Sequence, residues 1–260
     1  MNTREPLYPN QLVPLCLTSV VFLFGTLLLL LLLLLLNFAP FTREHIVIAL
    51  HPGDVAVGLV IYLKTSIDFA LFIGRLMSHY GGWKNRIAIE IGTALGNITG
   101  TLLILTVWDA FREIRILMAL MILLAALVLL RLAEEGLKNF PLLHRINHFI
   151  APLLNRLIPA STLNLRPDLT WTGLFLLSFT VPFILGSDDF AGYLPLFNIV
   201  NVMGFATGVF LGHMLLNIAL FLSPRHTIAV VQNRIMAFIG SLAFIGLAVW
   251  GIKEAITLLF

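Results

Sequence analysis

Apolar residues run along this chain in long blocks separated by short polar segments. In a window of about 19 residues, seven blocks are predicted to be membrane-spanning helices, at roughly 12–36, 55–78, 87–108, 115–134, 170–192, 199–222 and 235–257. A transmembrane β-barrel would instead show short segments of alternating character. Blocks of this length satisfy their backbone polar groups in lipid only as helices. The first block contains ten consecutive leucines, Leu27 to Leu36. It is far longer than a signal-peptide core and no small-residue cleavage site follows it, so a retained helix is expected.

Composition agrees with the pattern. Hydrophobic residues make up 59% of the 260 positions and charged residues 11%, and the mean hydropathy is +1.00. A soluble domain carries about 25% charged residues, so too little polar surface is present to cover a water-soluble globule. The single cysteine, Cys16, excludes an intramolecular disulfide, a CxxC redox pair and a thiolate cage for zinc. The net charge of +3 marks topology rather than nucleic-acid binding.

If the seven blocks alternate across a bilayer, one side receives Arg4, Arg75, Lys84, Arg86, Arg131, Lys138, Arg145, Arg156, Arg166, Arg225 and Arg234, and the other only Arg43, Arg112, Arg115 and Lys253. The positive-inside rule then places the N-terminus in the cytoplasm and the C-terminus outside. The longest connection, 137–169, interleaves Leu142, Leu143, Ile146, Phe149, Ile150, Leu153 and Leu157 with His144, Arg145 and Arg156. That spacing predicts an amphipathic helix in the membrane interface that links two halves of the chain.

The halves resemble each other. Ser66-Ile67-Asp68-Phe69-Ala70 in the second block matches Ser187-Asp188-Asp189-Phe190-Ala191 in the fifth, and each precedes a helix with a glycine every fourth position: Gly92, Gly96 and Gly100 in one, Gly204, Gly208 and Gly212 in the other. An odd number of spans separates the copies, so the halves have opposite orientations. The expected fold is an all-α polytopic membrane protein: an N-terminal helix and loop (1–54), a first three-helix repeat (55–136), the linker (137–169) and a second, inverted repeat (170–260). Glycine stripes permit close backbone approach, and the two striped helices are expected to meet at the centre of the bundle.

The residues most costly to place in lipid are the candidate site. Asp68, Asp188 and Asp189 lie within predicted spans and Glu90 near the start of one; an acid at mid-membrane costs about 2.5 to 3.5 kcal/mol. Each must be paired, protonated or bound to a cation. Lys64 stands one turn before Asp68 and is expected to form an i, i+4 pair with it, whereas Glu90 has Lys84 and Arg86 as nearby partners. Glu90, Thr93, Asn97 and Thr101 recur at helical spacing and form one polar face; His213 and Asn217 form another, with Asn201 near the start of that helix. Acids with amides suit hard cations, and an imidazole moves preference toward transition metals. A metal site from Asp68, Asp188, Asp189, Glu90, Asn97 and His213 is the sharper reading of these residues. Helix pairing and hydrogen bonds across helices are the plainer one.

The stretches Thr65-Ser66-Ile67-Asp68, Ile91-Gly92-Thr93-Ala94-Leu95-Gly96, Gly186-Ser187-Asp188-Asp189 running on to Tyr193-Leu194-Pro195-Leu196-Phe197, and Ile245-Gly246-Leu247 resemble the cadmium-resistance transporter family of the lysine-exporter superfamily. The resemblance covers roughly residues 55–257 in order, through short motifs. It implies six core helices and export of a divalent cation, with the family's two acids falling on Asp68 and Asp188, whereas the internal repeat equates Asp68 with Asp189. Residue 189 is acidic where the family has an amide, and Lys64 stands where it has a small or apolar residue. Both departures bear on selectivity.

The expected function is therefore export of a divalent cation by proton exchange, with Lys64 swinging to Asp68 when the ion leaves. Two alternatives stand beside it: export of an amino acid or other small zwitterion, and a non-transporting scaffold or accessory subunit. No HExxH, GxSxG or phosphate loop points to an enzyme. No cofactor is expected, the cation being cargo. Expected partners are that cation or zwitterion and membrane lipid, with a homodimer left open.

Overall fold

The computed structural model describes residues 7–38, 45–136, 169–185, 193, 196–198, 200–231 and 234–260. The linker 137–169, all but its last residue, and the acids Asp188 and Asp189 lie outside the described residues. The helices are α1 (Leu7–Phe38), α2 (Pro52–Thr65), α3 (Ile67–His79), α4 (Trp83–Arg112), α5 (Arg115–Gly136), α6 (Trp171–Leu185), α7 (Val202–Leu222), α8 (Pro224–Val231) and α9 (Arg234–Leu259), with a 3₁₀ turn at Leu196–Asn198.

Among the described residues, four helices are long and apolar enough to cross a membrane: Leu12–Phe38 of α1, α4, α7 and Ser241–Leu259 of α9. Together α2 and α3 make a fifth span if the bent pair is one crossing. This is an integral, multi-pass, all-helical architecture. In the membrane windows of α4 and α7, 61% and 67% of residues are buried, against 17% in α1 and 22% in α9. The two glycine-striped helices are thus central, and α1 and α9 peripheral.

The block expected as one span over 55–78 is instead two helices meeting at 63°. The break falls at Ser66, whose ψ of 24° leaves the helical region. The sequence Thr65-Ser66 favours it: the Thr65 hydroxyl donates back to the carbonyls of Ile61 and Tyr62 at 3.0 and 3.2 Å, a local bond that competes with the helical ladder and bends it.

The glycine stripes, expected from sequence to meet at the centre of the bundle, do not face each other. A methyl group on Gly92 would lie 2.6 Å from the Phe175 carbonyl oxygen, and one on Gly96 would collide with the Phe179 carbonyl, so this stripe faces α6. On α7, a methyl on Gly204 would lie 2.8 Å from Asp54 Cβ, one on Gly208 would collide with the Val55 carbonyl, and one on Gly212 would lie 2.9 Å from the Tyr62 ring. That stripe faces α2. Contacts ascend together along both members of each pair, so α2 runs parallel to α7 and α4 parallel to α6. The physical reason is that lipid supplies no hydrophobic drive between helices. Each glycine helix therefore gains most from close dispersion contact with a backbone it can approach.

Further helices pack around these pairs. Helix α5 packs along α9, and α1 packs on both α7 and α4. On α1 the buried stripe is Pro14, Thr18, Gly25, Leu29 and Leu33, and Gly25 lets Ile98 of α4 and Phe210 of α7 approach. Helix α1 thereby covers the seam between the two central helices.

Candidate functional site

The predicted polar faces of α4 and α7 point inward. Glu90, Thr93, Asn97 and Thr101 are 1%, 0%, 4% and 0% exposed, and His213 and Asn217 are 4% and 0% exposed. The two faces meet where Asn217 Nδ2 donates to Thr93 Oγ1 at 3.2 Å and to His213 Nε2 at 2.9 Å. With Nε2 accepting, the neutral ring carries its proton on Nδ1, which faces the Tyr62 hydroxyl at 2.5 Å. The Phe69 ring, 5.4 Å from the imidazole between centroids, closes another side. Both nitrogens of His213 are engaged, so the ring ligates a metal only by exchanging one of these partners.

Glu90 is the costly residue of this cluster. Both carboxylate oxygens are buried and without hydrogen-bond partners. The partners expected from sequence do not engage it: Arg86 reaches across to the Phe221 carbonyl with Nη1 at 2.9 Å, and the Lys84 ammonium lies 5.8 Å from the Trp83 ring centroid. An ionised carboxylate there requires a counter-charge, because burial without one costs far more than any hydrogen bond returns.

Lys64 and Asp68 do not form the expected pair. The break at Ser66 puts them on separate helices, where i, i+4 spacing no longer sets two side chains on one face. Asp68 is exposed on the first turn of α3, while the Lys64 ammonium lies 5.8 Å from the Phe244 ring centroid. Of the residues proposed from sequence, Asn97 and His213 come together, Glu90 shares the buried polar face of α4 with Asn97, and Asp68 stands outside this cluster. Among the described residues no group of three or more His, Cys, Asp or Glu side chains could hold a metal ion; Asp188 and Asp189 are outside that set. Tyr62 was not legible as a site residue, since 151 positions separate it from His213.

Two cavities adjoin the central helices. A small one, about 20 Å³, lies between α1, α4 and α7 and is lined by Thr18, Asn97, His213 and Asn217 among apolar side chains. A wide one, about 780 Å³, opens at the end of the bundle where α2, α5 and α7 begin, with His45, His51, Asp54, Arg112, Glu113, Arg115, Asn201 and Glu254 in its wall. Asn201 shapes that wall by capping α7, its Oδ1 accepting from the amides of Met203 and Gly204, and by donating to the Val47 carbonyl at 2.7 Å. No family model matches this chain, and neither a curated protein nor a solved structure matches it.

Proposed function

We propose that the chain is a secondary transporter that exports a divalent cation of the Cd, Zn or Mn class in exchange for protons. In this reading it is an extra helix followed by a 3+3 inverted repeat, with a cytoplasmic N-terminus and an external C-terminus. The observation that carries the reading is the crossed, parallel contact of the glycine stripes. Within each half the first and second spans are antiparallel. If one half is inverted, its first span runs parallel to the second span of the other half. The parallel pairs α2 with α7 and α4 with α6 follow that rule, and the third helices α5 and α9 pack on each other. Transporters of this kind place cargo at the repeat interface, beside broken helices.

The buried, partnerless Glu90 carboxylate supports a cation as cargo. Asp68 and the pair Asp188 and Asp189 enter through the family resemblance and the duplicated motif. A second reading, export of an amino acid or other zwitterion, draws on the wide cavity, where Arg112 and Arg115 share a wall with Asp54 and Glu254 and could bind a carboxylate and an amine together.

Thermal unfolding of the purified chain with Mn, Zn, Cd, Ca, Mg or amino acids separates the two. A ligand that binds only the folded state adds about 2.7 kcal/mol at about a hundredfold excess over Kd. Stabilisation by one metal, lost in Glu90→Gln and Asp68→Asn while both variants stay folded, is the expected result. A response to amino acids alone transfers the assignment to the zwitterion, and no response to either removes both cargoes.

A further inference from the structure

Helix α3 carries a polar outer face at a depth where α1 presents an apolar one. Its upper end is fixed by α2: a methyl group on Gly212, the central residue of α7 (Val202–Leu222), would lie 2.9 Å from the Tyr62 ring, so the break at Ser66 comes one turn past mid-depth. Its lower end is fixed by Gly74, where an added methyl group would lie 2.8 Å from Ile228 of α8 and 3.3 Å from Leu220, near the end of α7. Arg86 of α4 donates to the adjacent Phe221 carbonyl. Helix α3 therefore runs from the middle of the bundle to the end where α4 begins.

Phe69, Ala70, Ile73, Leu76 and Met77 form the buried side of α3. On the opposite side Asp68, Arg75 and His79, at i, i+7 and i+11, are exposed, with Phe72 half-buried between them. At similar depth on α1, the exposed residues are Leu23 and Leu27, flanking the Gly25 that meets Phe210 of α7. Where α4 exposes threonines, Thr99 and Thr106, their hydroxyls donate back to the carbonyls of Leu95 and Leu102 at 2.8 and 2.9 Å. A carboxylate only accepts and has no such outlet. Its stem is also too short to carry it from mid-depth to the headgroups, as the long stems of Arg and Lys do. Asp68 in this place calls for water, since lipid disfavours an exposed acid there.

We propose that the outer face of α3 lines a water-filled crevice that enters the bundle at the end where α4 begins and stops at Asp68. Its use as the route by which a hydrated cation reaches Asp68 rests on the transporter reading; the crevice itself does not.

The test is thiol accessibility in sealed membrane vesicles of each orientation, in a Cys16→Ser background, with a small charged methanethiosulfonate that reacts with thiolates in water. Asp68→Cys reports the inner end of the crevice, and Phe72→Cys reports the same face one turn on with Asp68 intact, should the first variant fail to fold. Gly81→Cys is the exposed reference beyond the end of α3 and Leu23→Cys the lipid-facing one. Asp68→Cys and Phe72→Cys are expected to react at rates comparable to Gly81→Cys and from the same side as it, whichever way the chain is oriented. Leu23→Cys is expected to react about a hundredfold more slowly, the factor by which lipid disfavours a charged group on insertion scales. Rates for Asp68→Cys and Phe72→Cys as low as that of Leu23→Cys overturn the proposal by placing this face in lipid or under protein. Reaction from the side opposite Gly81→Cys, or from both sides, overturns it as well. Neither metal nor amino acid takes part in the labelling, so failure here leaves the cargo readings intact, and failure of those readings leaves the crevice intact.

Discussion

Tyr62 and His213 show how a buried polar group is held in this bundle. The Nδ1 proton of His213 has the Tyr62 hydroxyl oxygen as its acceptor, and on the other side Nε2 is held by Asn217. Removing the hydroxyl in Tyr62→Phe leaves a buried donor unsatisfied, a cost of about 1–3 kcal/mol, so a lower unfolding midpoint is expected in detergent. An unchanged midpoint would mean that the hydroxyl contributes nothing to the imidazole. At this scale the sequence was partly readable: periodicity put Glu90, Thr93, Asn97 and Thr101 on one face, and all four are buried. It did not supply Tyr62, because no local pattern links residues on different helices.

Between helices, the glycines are the most testable feature. Gly208→Ala forces a methyl group into the Val55 carbonyl and Gly96→Ala forces one into the Phe179 carbonyl. Neither neighbour is a flexible side-chain tip, so each substitution should destabilise by about 1–3 kcal/mol or more. At Gly246, in α9, an added methyl group would meet nothing within 4 Å. There Gly→Ala should stabilise, by up to about 1 kcal/mol of helix propensity. The same substitution thus changes sign with its surroundings, and unfolding midpoints of the three variants check it. The stripes were legible as a spacing of four; the surfaces they meet were not, since a glycine stripe specifies close approach without naming the helix that approaches. The break at Ser66 had a local signal in Thr65-Ser66, but hydropathy averages over it.

Across the whole molecule, the orientation of the chain is the property to measure. In a Cys16→Ser background, Gly81→Cys and Glu113→Cys place single thiols at exposed positions on opposite ends of α4. If the basic residues set topology as expected, an impermeant thiol reagent added outside intact cells labels Glu113→Cys and not Gly81→Cys. The opposite pattern reverses the proposed orientation of every span. Labelling also checks whether α2 and α3 make one crossing, since the N-terminal end of α2 and Gly81 must then lie on opposite sides.

The amino-acid sequence by itself determined that the chain is helical, lives in lipid, and carries one acidic motif and one glycine stripe twice, because hydropathy, charge bias and residue spacing act locally and survive without coordinates. Helix ends followed too, to within a few residues for α4, α7 and α9. Only the tertiary structure decided which surfaces meet. The leucine tract of α1 is equally apolar on every face, so its buried stripe is set by where Thr18 and Gly25 find the seam between α4 and α7. The Lys64–Asp68 pair was plausible on a continuous helix and was lost when one backbone dihedral turned at Ser66. Pairing across the bundle depends on shape and on which polar atoms find partners, and neither is written in the spacing of residues along one helix.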